Sequence, residues 1–171
     1  MAELVTISDF TGDEFLQQDL NTSDWLDDIR TEYARPFVRQ LLGAELGNLF
    51  LTNWDAVNGD SALLDARFKA IWDAFQEDHG CDLVESKGMK FAIKSVLWFY
   101  YARQNNSIVT TGGNRSQLSE NSTPTNDGIW MAKNYNAGIR TARAIQWYIC
   151  ENSTDYPEFN GQRLDFYNGI G

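Results

Sequence analysis

Apolar side chains are most concentrated over residues 89–101, where they cover nearly every position of a helical wheel. From Phe91 onward only Lys94 and Ser95 interrupt them. A helix that is apolar around nearly its whole circumference must be buried. The pattern therefore predicts a central buried helix, with Ser86 as its N-cap.

A long amphipathic pattern lies upstream of this run. Apolar residues recur every four positions from Trp25 to Leu41, and Ser23 is a good N-cap in front of them. Pro36 lies inside the pattern and lacks the amide that would bond to the preceding turn. We therefore expect a helix with a kink or a break at Pro36, closed by Gly43 in the left-handed conformation.

Two further helices are predicted before the central one. The first covers residues 44–57 and ends at an Asn-Gly turn. The second starts at Asp60 or Ser61 and ends at His79. Its buried face is expected to hold Leu64, Phe68, Ile71, Trp72 and Phe75. Residues 83–84 are too few to predict more than a linker.

The segment 105–128 is dominated by Asn, Ser, Thr and Gly, so it cannot form a core. Its apolar stretch Ile108–Thr111, before Gly112, favours one side of a short hairpin. Connections between packed elements usually have about 4 to 6 residues. A connection this long predicts a functional loop, held between the central helix and a last helix over 129–151.

Both ends of the chain lack a clear helical period. Residues 1–20 predict a short extended arm or strand that leads into a brief helix. Residues 152–171 carry aromatic and aliphatic side chains interrupted by Asn, Gly and Pro. Such an apolar tail usually needs a partner surface, so we predict a C-terminal arm that orders on binding to another chain.

The length and the composition of the chain are consistent with one compact domain. The chain has 171 residues, of which 43% are hydrophobic, which is enough for one buried core and short for two. No internal repeat and no low-complexity linker divides it. The predicted fold is mostly α: a single-domain helical bundle of about five helices over 1–171, with a long loop between the last two and extended terminal arms.

Charge is distributed unevenly along the chain. Residues 1–86 hold 18 Asp and Glu against 5 Lys and Arg, whereas residues 87–171 hold 6 against 9. The acidic half is poorly suited to gripping a phosphate backbone, because that affinity comes from Lys and Arg. The two unlike halves can instead attract each other between chains.

A basic stripe is predicted on the last helix. Lys133, Arg140 and Arg143 lie seven and three residues apart, beside the apolar seam of that helix. A solvated face that balances local charge is the simplest interpretation. The acidity of the first half favours a subunit interface as the alternative.

Few residue patterns point to chemistry. No window is apolar enough for a membrane span, and no basic stretch precedes an apolar run as in a signal peptide. We therefore expect no membrane partner and reduced, mostly buried cysteines, Cys81 and Cys150. Together with His79 they could be three metal ligands, but no fourth ligand has a suitable spacing. The Gly112 and Gly113 pair lacks the Lys of a P-loop. No cofactor and no catalytic residue is predicted.

Several short motifs resemble head-to-tail connector (adaptor, or head completion) proteins of tailed bacteriophages. Residues 36–46, PFVRQLLGAEL, are similar to the junction between the first two long helices of those proteins. Gly47 stands where the family usually has a helix former. The second half is similar at Tyr101-Ala102-Arg103, Thr110-Thr111-Gly112-Gly113, Ser119-Glu120-Asn121-Ser122, Asn134-Tyr135-Asn136 and Tyr156-Pro157-Glu158-Phe159.

The resemblance implies a mostly helical subunit of a ring, commonly of twelve copies, in the virion at the head-tail interface, with assembly in the host cytoplasm. Such a ring lies below the portal protein, extends the DNA channel without binding the genomic DNA specifically, and gives other connector or tail proteins a docking platform. It implies no catalytic residue and no cofactor. A non-viral cytoplasmic interaction module and an enzyme with an acidic cleft are the alternatives.

On this basis two sets of site residues are expected. Contacts between subunits are assigned to the basic stripe and to the long loop, at Lys133, Arg140, Arg143, Thr111, Gly112, Gly113, Asn114 and Arg115. Docking to the portal or tail is assigned to the C-terminal arm, at Tyr156, Pro157, Phe159, Leu164, Phe166 and Tyr167.

Overall fold

The apolar run at residues 89–101 forms the helix at the centre of the molecule. The computed structural model describes residues 1–10, 28–78, 83–105, 108–110, 113–115 and 127–167, with side chains at 1–10, 28–78, 83–103 and 131–167. Those residues are mostly helical, which confirms the predicted fold class. Their five α-helices are α1 (Arg35–Leu42), α2 (Ala44–Ala56), α3 (Ala66–Trp72), α4 (Met89–Asn105) and α5 (Asp127–Glu151).

Helix α4 is buried on most sides, as its composition predicts, and α5 is its main neighbour. The two helices run in opposite directions, since Ser95 meets Gly138 while Phe99, one turn later, meets Tyr135. A Cβ on Gly138 would lie 2.7 Å from the Cβ of Ser95, so only glycine allows this approach. The fully buried side chains of α4 are Met89, Ala92, Ile93, Ser95 and Leu97.

The helix predicted around Pro36 changes its winding there. A π-helical segment, Arg30–Ala34, leads directly into α1. Pro36, which has no amide to donate to the preceding turn, lies two residues after this π-helical segment. The expected break is therefore a change from π to α winding. The predicted cap Ser23 lies outside the described residues.

Two glycines shape the junction between α1 and α2. Gly43 has φ +85° and ψ 163°, a conformation restricted to glycine but different from the left-handed helical one that we predicted. Gly47 is buried where α2 crosses α1, and a Cβ there would lie 2.9 Å from the Cα of Arg39. This close crossing explains a glycine inside a helix, where it is otherwise unfavourable.

The third predicted helix is too long. Helix α3 ends at Trp72, and the chain then forms an antiparallel hairpin of β1 (Phe75–Asp78) and β2 (Leu83–Ser86), where we expected helix and linker. Phe75 continues the helical spacing of the apolar residues before it. Its ring nevertheless packs on Tyr148 of α5, with 5.0 Å between the ring centroids. A contact between residues so distant in sequence leaves no local pattern.

The N-cap predicted for α4 is also displaced. The Oγ of Ser86 accepts a hydrogen bond from the amide of Gly88 at 3.1 Å, one residue before α4 begins at Met89. Gly88 has φ +88°, and a Cβ on it would lie 2.5 Å from the carbonyl oxygen of Trp72. Ser86 therefore stabilises the turn between β2 and α4.

A second hairpin lies in the long connection between α4 and α5. Strands β3 (Ile108–Thr110) and β4 (Gly113–Arg115) pair antiparallel, with Ile108 opposite Arg115. This confirms the predicted hairpin. The two strands pair with each other and have at most slight contact with the other described elements. Of the loop residues assigned to the subunit interface, Gly113, Asn114 and Arg115 form β4, and Thr111 and Gly112 lie outside the described residues.

The N-terminal arm is extended, as predicted, and is held by charged side chains. The amide of Ala2 donates to the Asp55 carboxylate at 2.6 Å. Arg35 donates to both oxygens of the same carboxylate, at 2.6 and 3.1 Å, and to the carbonyl of Ala2. Further along, a short 3-10 turn spans Ile7–Asp9. The arm buries Leu4, Val5 and Phe10.

Candidate interaction surface

The C-terminal segment of the chain lies in a groove between α1 and α5 of the same chain. Side chains of α5 bind its main chain. Asn136 pairs with Tyr167 through both amide atoms: Oδ1 accepts from the Tyr167 amide at 2.7 Å, and Nδ2 donates to the Tyr167 carbonyl at 3.0 Å. The Nε of Arg143 donates to the carbonyl of Leu164 at 2.8 Å. We name residues 160–167 the tail segment.

The end of α1 forms the other wall of the groove. The last carbonyls of a helix have no partners inside the helix. Here the amide of Gln162 donates to the carbonyl of Gln40 at 3.1 Å. The Nε2 of Gln146 bridges the carbonyls of Leu41, at 2.9 Å, and Gln162, at 2.8 Å. The tail segment therefore caps α1. We name this binding surface, formed by the end of α1 with Asn136, Arg143 and Gln146, the tail groove.

Glycines allow the tail segment to approach α1 closely. A Cβ on Gly161 would collide with the carbonyl oxygen of Leu41, and a Cβ on Gly43 would lie 2.5 Å from the carbonyl carbon of Asn160. The amide of Asn160 is 3.4 Å from the carbonyl oxygen of Leu42. Main chain thus packs directly on main chain at this point.

Two side chains anchor the C-terminal region in the core. Tyr156 and Leu164 are each only 3% exposed, and the Tyr156 hydroxyl donates to the carbonyl of Arg67 at 2.6 Å. Burial raises the pKa of Tyr156 far above its ordinary value of 10.0. The prediction that these two residues dock on another chain is therefore wrong, because they complete the core of their own chain.

The other predicted docking residues divide into two groups. Phe159 and Tyr167 are half-buried against the body of the protein, whereas Pro157 is exposed. Phe166 is 37% exposed, and its ring centroid lies 4.1 Å from the guanidinium carbon of Arg143. Pro157 and Phe166 are the members of this set whose surfaces remain open to a partner.

The basic stripe of α5 does not act as a unit. Arg143 is half-buried and engaged within the chain, since it binds Leu164 and lies 3.7 Å from the Asp165 carboxylate. Arg140 is exposed, and no hydrogen bond or ion pair to it is found among the residues that the structure describes. Lys133 is also exposed. Of the predicted intersubunit stripe, Lys133 and Arg140 therefore remain as exposed residues that a neighbouring subunit could contact.

The sequence analysis missed the polar side of the tail groove. Asn136, Arg143 and Gln146 lie seven and three residues apart, the same spacing as the basic stripe, so they share one side of α5. A polar stripe adjoining an apolar seam was the available signal. We assigned only its charged member, and we assigned that residue to a neighbouring chain.

A surface cleft of about 540 Å³ lies between the N-terminal arm and α1. Three arginines line it. Arg30 pairs with Glu3 at 2.7 Å, Arg35 with Asp55, and Arg39 donates to the side-chain oxygen of Asn48. The pairs made by Arg30 and Arg35 hold the arm against the helices, and Glu3 is the one carboxylate among the residues that line the cleft.

Of the three residues considered as metal ligands, Cys150 lies within the described ranges. Within the described ranges no three His, Cys, Asp or Glu side chains are grouped to hold a metal ion, and His79 and Cys81 lie outside those ranges. Cys150 is a free thiol and is exposed, so the prediction that it is buried is wrong. Among the described helices none is long and apolar enough to cross a membrane.

Comparison with known proteins identifies no relative of this chain. No family model matches the chain, and searches of curated proteins and of solved structures find no significant match.

Proposed function

We propose that this chain is a structural subunit of a ring between the portal and the tail of a tailed phage. The observation that carries the proposal is the β3–β4 hairpin at the end of the antiparallel pair α4 and α5. The hairpin has at most slight contact with the other described elements, while the helices below it are firmly packed. A hairpin that stands apart from a packed helical base suits a subunit that presents a loop to a neighbour or to a channel.

Charge supports a ring. Rings use heterologous contacts, in which one face of a subunit meets a different face of the next. The acidic first half and the weakly basic second half give the chain two regions of unlike charge, and Arg140 is exposed in the second. A net charge of -10 also suits a channel through which DNA slides, because few basic side chains hold its phosphates.

The resemblance to connector proteins supports the same proposal through the helix junction at 36–46. The structure contains two helices there, joined at Gly43. The ring would extend the DNA channel, bind the portal protein, and serve as the docking platform for tail proteins.

Light scattering with a hairpin variant tests this proposal. Residues 106–117 are replaced by a Gly-Ser linker of equal length, which leaves α4 and α5 intact. We expect the unaltered protein to form a large closed oligomer at low salt and the variant to stay monomeric with the same helical content. A protein that is monomeric at every concentration would favour the non-viral interaction module instead, and rings from the variant would remove the role given to the hairpin.

A further inference from the structure

We propose that the cleft between the N-terminal arm and α1 binds a small organic anion. Arg39 holds the carboxylate or phosphate group of that anion, and the apolar floor of the cleft holds the rest. The cleft has a volume of about 540 Å³, which lies within the usual range for small-molecule sites, about 300 to 1,000 Å³. We name this cleft, lined by Arg30, Arg35 and Arg39, the arginine cleft. The proposal does not depend on the role of the chain in a phage.

The change of winding in front of α1 brings three arginines to one side of the helix. Arg30 and Arg35 are five residues apart and are separated by the π-helical segment, in which five residues make about one turn. Arg39 follows four residues later, about one turn of α-helix. In an uninterrupted α-helix, a step of five residues would turn Arg30 about 140° away from Arg35. The π winding, which is often found at functional sites, therefore lets all three side chains line the same cleft.

Arg39 differs from the other two arginines because no carboxylate balances its charge. Arg30 pairs with Glu3 at 2.7 Å, and Arg35 pairs with Asp55 at 2.6 Å. Arg39 instead donates to a neutral amide side chain, and no carboxylate is bonded to it in the part of the chain that the structure describes. The cleft therefore has a local excess of positive charge, on a chain whose net charge is -10. Such a cleft raises the local concentration of anionic ligands.

Two contacts hold Arg39 in position. Its Nε donates to Oδ1 of Asn48 at 2.8 Å. Its main chain and stem approach Gly47 closely, since a Cβ on Gly47 would lie 2.9 Å from the Cα and 3.4 Å from the Cγ of Arg39. With Nε engaged, Nη1 and Nη2 remain for a ligand, and they can donate to both oxygens of one carboxylate or phosphate. A side chain that is already held loses less conformational freedom on binding.

The floor of the cleft favours an organic anion over an inorganic one. It includes Leu4 and Ala34, each only 5% exposed, and Pro36 lies at the exposed rim. Small-molecule sites combine such an apolar lining with a few polar groups that orient the ligand. A ligand with a short apolar group next to its anionic group therefore fits both parts of the cleft.

Saturation-transfer NMR with small aromatic probes tests the proposal. Benzoate carries a carboxylate and phenyl phosphate carries a phosphate, each on an apolar ring, and benzyl alcohol is the uncharged probe. The method observes the probe, so it applies to a monomer and to a large assembly alike. At constant ionic strength we expect transfer to at least one anion and much weaker transfer to benzyl alcohol. Binding of both anions identifies the oxyanion as the recognised group, and binding of only one identifies which oxyanion is the ligand.

A pair of matched variants locates the binding. Arg39→Gln removes the charge and the two terminal donors, so it should weaken binding of the anion by about tenfold or more. Arg163→Gln is the control, because Arg163 is exposed and lies outside the cleft, and its replacement changes the net charge by the same amount. We expect the control to bind the anion as the unaltered protein does. Circular dichroism verifies that both variants are folded.

Three results would overturn the proposal. Neither anion binds, Arg39→Gln binds as tightly as the unaltered protein, or benzyl alcohol binds as tightly as the anions. An equal loss of binding in the two variants would also overturn it, because the effect would then be one of net charge alone. Ring formation does not enter these outcomes, so the connector role is tested separately.

Discussion

The side chain of Asn136 binds the main chain of Tyr167 as a second backbone amide would, with its oxygen 2.7 Å from the amide nitrogen and its nitrogen 3.0 Å from the carbonyl oxygen. The two residues are 31 positions apart. This pair fixes the far end of the C-terminal region, while Tyr156 fixes its near end. The C-terminal region is thereby part of the fold.

Replacement of Asn136 by Ala should destabilise the protein. It leaves two main-chain groups of Tyr167 without partners in a half-buried site, at a cost of roughly 1 to 3 kcal/mol. Urea unfolding measures the change. Asn48→Ala is the control, since Asn48 is exposed and accepts one hydrogen bond from Arg39. An equal effect of the two substitutions would contradict the role given to Asn136.

Truncation of Leu164 should destabilise the protein much more than truncation of Phe166, although the two residues are only two positions apart. Leu164 is 3% exposed and Phe166 is 37% exposed. We expect Leu164→Ala to cost about 2 to 5 kcal/mol of unfolding free energy, the usual range for a buried leucine, and Phe166→Ala to cost much less. Thermal unfolding of the two variants checks this. If Leu164→Ala were neutral, the C-terminal region would be the free arm that the sequence predicted.

Stability should depend on Asp55 at acid pH. The Arg35 hydrogen bonds lower the pKa of Asp55 below its ordinary 3.8, with burial opposing them and the Ala2 amide adding to them. A carboxyl whose pKa is lower in the folded state stabilises the protein above the unfolded pKa, and that stabilisation is lost as the pH falls through the folded pKa. Asp55→Asn should therefore be less stable at pH 7, and its stability should fall less steeply below 3.8. Parallel curves of stability against pH for the two proteins would refute this.

Substitutions of Arg140 and Arg143 should have different effects: the first on assembly and the second on the stability of the fold. Arg140 is exposed without a partner among the described residues, whereas Arg143 binds the tail segment. Under the proposed function, Arg140→Glu impairs self-association and leaves the unfolding midpoint unchanged, while Arg143→Glu lowers that midpoint. Analytical ultracentrifugation and thermal unfolding measure the two effects. Unimpaired assembly of Arg140→Glu would remove Arg140 from the subunit interface.

The parts of the fold that the sequence predicted are those with a local signal. Helix α4 is marked by its composition, and the change of winding near Pro36 by the missing amide. The hairpin of β1 and β2 was missed because Phe75 keeps a helical spacing with α3, while its position is decided by Tyr148, far along the chain.

The tail groove was missed for a related reason. Binding of a main chain leaves no periodic apolar pattern in the bound segment. The C-terminal residues therefore resembled a free arm, although Tyr156 and Leu164 belong to the core. Arg143 was predicted from its charge alone, and charge does not indicate whether its partner lies in the same chain.

Electron microscopy of the purified protein at low salt tests the connector proposal most directly. The chain has a mass of 19.5 kDa, so a closed ring of many copies is easily told from a monomer. The account predicts rings with rotational symmetry and a central channel, which dissociate as salt screens the contacts between the acidic and basic halves. Particles of monomer size at all salt and protein concentrations would contradict it.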